Sequence, residues 1–151
     1  MCNPASQLIV EIHDVRAYLL GQSTYIIPIN VNSPLSSSLM NAILWDYRLP
    51  LYGDHGIAHW ARVRDIGLKL APLTGADTLV VELFSVFHDS RRVNENTDVG
   101  HGLRGAELMR QLRDSFFNVT DDQFRLLYDA CALHTDGLTE DDVTVQTCWD
   151  S

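Results

Sequence analysis

The sequence predicts a single all-α domain, a helical bundle of about five to seven helices, on three observations. Its 151 residues and 46% apolar content suffice for one core and are too few for two comfortable ones. Apolar residues recur at steps of three and four along most of the chain. One segment, 78-TLVVELFSVFH-88, is apolar nearly all round, as a central helix enclosed by others must be.

Taken in order, Leu8, Ile12, Val15 and Leu19 mark one face of a first predicted helix that Gly21 can end. Residues 24-TYIIPINVNSPLSSS-38 carry two prolines and a serine run, which suit an extended crossing. A helix follows over 38-SLMNAILWDYR-48 and stops at Pro50. In 55-HGIAHWARVRDIGLKLA-71 the residues His59, Val63, Ile66 and Leu70 share a face, so a histidine sits on the predicted buried stripe. After the central helix, the polar stretch 89-DSRRVNENTDVG-100 leads into 101-HGLRGAELMRQLRD-114, where His101, Gly105, Leu108 and Leu112 align. Thr120 and Gln123 form a capping-box pattern before 121-DDQFRLLYDACALH-134, whose face is Phe124, Leu127, Cys131 and His134. Thr139 is the predicted cap of a last helix, 140-EDDVTVQTCWD-150.

The formal charge of −9 argues against a chain whose main business is gripping a nucleic-acid backbone, which needs a basic stripe to release counterions. The three cysteines show no CxxC spacing and suggest neither a disulfide framework nor a zinc knuckle. The opening 1-MCNPASQLIVEIHDVR-16 has no basic n-region, and no segment approaches the roughly 18 apolar residues of a membrane span. The expectation is a cytoplasmic protein with reduced thiols and no membrane partner.

Each histidine alone reads as a hydrogen-bonded core residue. His59, His88, His101 and His134, however, fall on successive helical segments, each on a predicted buried face or at the helix end that points into it. With Asp89 beside His88, convergence on one polar centre explains all five with a single assumption. Imidazole and carboxylate donors suit Mn, Fe, Co, Ni or Zn better than Mg or Ca, so one or two divalent transition metal ions are expected. Adjacent helical positions diverge by about 100°, so His88 and Asp89 can reach one centre only where the helix ends or bends. The segment 55-HGIAH-59 imitates the histidine spacing of a zinc protease helix, but Gly56 stands where the general-base glutamate must be.

His59 followed by Arg62 and Val63, then His88-Asp89 after an apolar helix, then Asp150 in 147-TCWD-150, resembles the HD-domain metal-dependent phosphohydrolase superfamily in its H…HD…D order. The resemblance covers 54–151, an HD-type metal-binding core, and leaves 1–53 as an N-terminal helical or extended segment packing on it. It implies that His59, His88, Asp89 and Asp150 are primary metal ligands. It implies too that His101 and His134 complete a second ion's site, with Asp89 bridging. Asp54 and His55 resemble the acidic-histidine pair that some members carry ahead of the first ligand, in contact with substrate or supporting the ligands.

The activity so implied is hydrolysis of a phosphoester in a nucleotide, phosphodiester or other small phosphorylated molecule by metal-activated water. Asp89 and His55 are the candidate catalytic residues. Arg91, Arg92 and His55 are candidates for contact with the phosphate, one arginine being expected to face the site. Two other readings stand beside this one: a catalytically degenerate HD module that binds a nucleotide or a partner protein, and a helical interaction protein whose histidines fill the core. Homo-oligomerisation is left open.

Overall fold

The computed structural model describes residues 33–135 and 141–151, together with the backbone of 7–12 and 25–30. Among these residues six helices form the body: α1 Ser37–Leu44, α2 Ile57–Thr74, α3 Thr78–Phe87, α4 His101–Leu112, α5 Asp121–Leu133 and α6 Val143–Trp149. The bundle is all-α. Beside it runs a two-stranded antiparallel pair, β1 Gln7–Ile12 with β2 Tyr25–Asn30, in which Gln7 faces Asn30 and Ile12 faces Tyr25.

Local chemistry sets the helix ends. Ser36 Oγ accepts the Leu39 N–H at 3.1 Å to open α1, and Asp77 Oδ1 accepts those of Leu79 and Val80 to open α3. Thr120 and Gln123 form the reciprocal capping box at the start of α5. Gly75 ends α2 in the left-handed region at φ 83°, where a Cβ would be strained.

The core is organised on α3. Every residue from Val80 to Phe87 is buried, because α2, α4, α5 and α6 all pack against it. Leu39, Met40 and Ile43 of α1 join the same core. The one carboxylate in the α3 run, Glu82, is matched inside: Arg64 donates to its Oε1 from Nε at 2.8 Å and Nη2 at 2.5 Å, and Ser33 Oγ donates at 2.7 Å. A buried charge without such partners would be costly. Among the described residues no helix is long and apolar enough to cross a membrane. Cys131 and Cys148 are unpaired, and burial pushes both thiols up, so neither is a ready nucleophile; Cys2 lies outside the described residues.

Three local expectations are corrected. The predicted helix on Leu8, Ile12, Val15 and Leu19 is a strand over 7–12, where Ile9, Val10 and Ile12 are β-branched; its later positions lie outside the described residues. On α2 the buried stripe is Ile57, Trp60, Val63, Gly67 and Ala71, so Ile66 is exposed and His59 stands at the stripe's edge. The last helix starts at Val143 with Asp142 as its cap, because the Asp142 carboxylate accepts the Thr144 N–H at 2.8 Å; Thr139 lies outside the described residues.

Gly102 lets α4 approach α5. A Cβ there would lie 2.3 Å from the Cys131 carbonyl oxygen and 2.9 Å from His134 Nδ1, so backbone would have to move. Gly102→Ala is therefore expected to cost roughly 1–3 kcal/mol, read as a lower urea midpoint at unchanged slope. It should also part His101 from His134.

Candidate metal centre

His88 is the C-cap of α3, still with helical dihedrals, and Asp89 follows as the chain turns away. The helix end is what allows these two neighbours to face one centre. His59 comes from the first turns of α2, His101 is the first residue of α4, and His134 is the C-cap of α5. Three helix ends and the edge of a fourth helix thus meet around one carboxylate. They line a cavity of about 310 Å3 that His55, Arg92 and Asp54 also border.

Asp89 divides its two oxygens between two histidine pairs. Oδ2 lies 3.4 Å from both His59 Nε2 and His88 Nε2, and those nitrogens are 3.1 Å apart. Oδ1 lies 3.0 Å from His101 Nε2 and 3.7 Å from His134 Nε2, themselves 3.0 Å apart. Donors about 2.1 Å from a shared ion sit roughly 3.0–3.4 Å from one another. Both triads, His59–His88–Asp89 and Asp89–His101–His134, therefore fit a metal ion, and three protein donors leave coordination positions open in each.

The protonation pattern points the same way. His88 Nδ1 is 3.2 Å from the Phe84 carbonyl oxygen, His101 Nδ1 is 2.6 Å from that of Asp98, and His134 Nδ1 is 2.7 Å from that of Cys131. A carbonyl can only accept, so each Nδ1 carries a proton and each ring turns its Nε2 inward. Lone pairs facing each other and a carboxylate at these separations repel unless a cation stands among them. Burial pushes His88 below the ordinary histidine range, so its ring is neutral and ready to coordinate. Burial alone would raise Asp89. The surrounding imidazoles of His101, His134, His59 and His88 instead hold it well below the usual carboxylate range. Asp89 is thus favoured as the anion. Nitrogen and oxygen donors without a thiolate favour Mn, Fe, Co, Ni or Zn.

The other expected site residues separate. His55 borders the cavity, with its ring centroid 5.8 Å from that of His59. Arg92 enters the cavity wall, its Nη1 lying 3.0 Å from His101 Nε2 and 3.5 Å from Asp89 Oδ1. Arg91 does not: its Nη1 donates to the Ile43 and Ser90 carbonyls at 2.9 Å each, tying the loop to α1. Asp150 does not join the centre either. As the C-cap of α6 it is exposed, with Oδ1 accepting from Gln146 Nε2 at 3.1 Å, while its neighbours Trp149 and Ser151 border the cavity in its place.

Two residues at the site have no sequence signal beyond being acids in a polar stretch. Glu95 Oε2 accepts from His55 Nδ1 at 2.6 Å and from the His55 backbone N–H at 3.2 Å. A Cβ at Gly53 would lie 1.9 Å from Glu95 Oε1, so a side chain there would push the carboxylate from this position. Asp98 accepts the Val93 N–H at 2.7 Å and Arg104 Nη2 at 2.6 Å, and its carbonyl orients His101.

Comparison with family models, with curated proteins and with solved structures finds no match to this chain.

Proposed function

We propose that this protein is a metal-dependent phosphohydrolase of the HD type, acting on the ester of a small phosphorylated molecule such as a nucleotide or phosphodiester. The observation that carries the reading is Asp89, shared between two histidine pairs and opening onto a cavity that also holds a guanidinium and a carboxylate-held imidazole. When bound, a divalent ion at such a centre acidifies water and neutralises charge that develops on phosphoryl oxygens.

The chain's own groups supply the rest. Arg92 places a positive charge in the cavity wall beside Asp89, while Arg91 turns away to the Ile43 and Ser90 carbonyls. Glu95 accepts a hydrogen bond from His55 Nδ1–H and fixes the ring, leaving Nε2 as the nitrogen that can pass a proton to a leaving group or accept one from water. The Phe84 ring, stacked on His88 at 5.0 Å, gives the cavity an apolar wall.

The test is metal analysis of the chain purified without added metal, followed by turnover of a chromogenic phosphodiester and of the matching monoester. Bound metal with turnover supports the reading. Bound metal without hydrolysis of any phosphoester would instead favour a non-catalytic binding module, and no bound metal would remove the reading altogether. Glu95→Gln is expected to lower kcat about a hundredfold with little change in KM. Full activity in that variant would show that the Glu95 charge is not needed, and full activity in His55→Ala would exclude His55 as the proton carrier.

A further inference from the structure

The two triads are not equivalent, because a cation already stands at one of them. Arg92 Nη1 lies on the Oδ1 side of Asp89, 3.0 Å from His101 Nε2. His101 spends its Nδ1 proton on the Asp98 carbonyl, so Nε2 accepts the Arg92 N–H with the one lone pair that a metal ion would need. Arg92 is 7% exposed and its guanidinium is held from behind: Nη2 donates to the Asn96 carbonyl at 2.6 Å and Nε to that of Asn94 at 3.4 Å. The histidines of the other triad, His59 and His88, meet the opposite carboxylate oxygen, Oδ2.

We propose that Arg92 is the built-in counter-charge of the Asp89–His101–His134 triad, and that it sets the metal stoichiometry of the resting protein at one ion, held by His59, His88 and Asp89. This rests on the metal-centre reading of the site and not on any particular substrate. A second divalent ion must displace the guanidinium from His101 Nε2 and then bind a few ångströms from a fixed positive charge. Two histidines and a shared carboxylate meet that demand poorly. Arg92 thereby acts as a specificity-determining residue for metal number, and the positive charge belongs to the chain on one side of Asp89 and to the ion on the other.

The experiment is titration of the metal-free full chain with Mn(II), followed by calorimetry and by electron paramagnetic resonance. The wild type should take one ion tightly and a second at least about tenfold more weakly. Arg92→Met and Arg92→Gln should each bind two, with second-ion affinity raised about tenfold or more and a spin-coupled signal from two ions sharing Asp89. Adding His101→Ala to either variant should return it to one ion. Arg92→Gln retains a donor for the Asn94 and Asn96 carbonyls, so it carries the test if the methionine variant does not fold. Two equivalent ions in the wild type, or a single ion in the folded Arg92 variants, would overturn the proposal while leaving the metal centre standing. A wild type that binds no ion would overturn the metal centre itself, and the proposal with it.

Discussion

Asp89→Asn is expected to abolish the tight ion of the His59–His88 side and the weaker binding of the His101–His134 side at once, where each single-histidine variant weakens only its own side. The carboxylate is the only donor the triads share, with Oδ2 toward His59 and His88 and Oδ1 toward His101 and His134. An amide of the same shape offers one neutral oxygen to one side and an N–H donor to the other, so one triad loses its oxygen donor and both lose the charge. Removing a unit negative charge within about 4 Å of a divalent ion, at an effective dielectric near 20, forfeits several kcal/mol, on the order of a thousandfold or more in affinity. Metal content after dialysis and calorimetric titration read the effect. Hydrolysis of the chromogenic ester, if it depends on the ion, should fall to background in step. His59→Ala should also lose the tight ion but leave Asp89 with His101 and His134 able to take an ion weakly, and that residual weak binding, absent in Asp89→Asn, separates loss of a shared ligand from loss of one side's ligand. Retention of a tightly bound ion in folded Asp89→Asn would place the metal elsewhere. Circular dichroism checks the fold, since the substitution keeps side-chain volume in a residue only 2% exposed.

How much of the fold is legible in the sequence depends on whether a signal is periodic or local. The central helix is legible because its apolar run has no polar face to offer water, and the capping box at Thr120 is legible because its partners are three residues apart. The N-terminal discrepancy arises in 7-QLIVEI-12, where a dense apolar run satisfies helical and strand templates alike and its β-branched residues decide for the strand. On α2 the true stripe is displaced by part of a turn from the predicted one, and the difference matters: His59 lies at the edge of the buried face, where it can meet a cavity rather than the core.

The histidine convergence is legible in the sequence because four imidazoles and a neighbouring aspartate need a common polar destination. Which nitrogen faces inward is not, since the Phe84, Asp98 and Cys131 carbonyls that settle it are set by backbone geometry. Direction within adjacent residues is equally hidden. Arg91 and Arg92 look alike in sequence and turn to opposite sides of a loop, and Asp150 turns outward while Trp149 and Ser151 turn in. Glu95 illustrates a further limit. Its partner His55 is distant in sequence, and nothing in 94-NEN-96 distinguishes a site carboxylate from a solvated one.

Metal removal should register as a loss of stability larger than that of ordinary surface variants. An ion that binds only the folded chain stabilises it by RT ln(1 + [L]/Kd), about 4 kcal/mol at a thousandfold excess over Kd. For a domain of this size that corresponds to roughly 8–16 °C in melting temperature. A chelator should therefore lower the melting temperature of the loaded protein by about that amount, and readdition of Mn(II) or Co(II) should restore it. Two groups of the centre whose protonation the fold shifts shape the pH dependence of the chelated chain. His88 is pushed down by burial, so below the unfolded value of about 6.5 the unfolded chain binds the extra proton first and stability falls as pH falls. Asp89 is also held low, so its contribution is complete above the unfolded value near 3.9 and is lost only in stronger acid, as pH drops toward its folded value. The expected record is a melting temperature flat from pH 8 to about 6.5, then declining, with the gain from added metal shrinking over the same acid limb as protons compete for the imidazole nitrogens. His88→Gln should flatten the first part of that decline in the metal-free protein and remove most of the metal-dependent gain. A chelator-insensitive melting temperature at pH 7.5, in a chain shown by metal analysis to have been loaded, would mean that the ion sits outside the His59–His88–Asp89 centre.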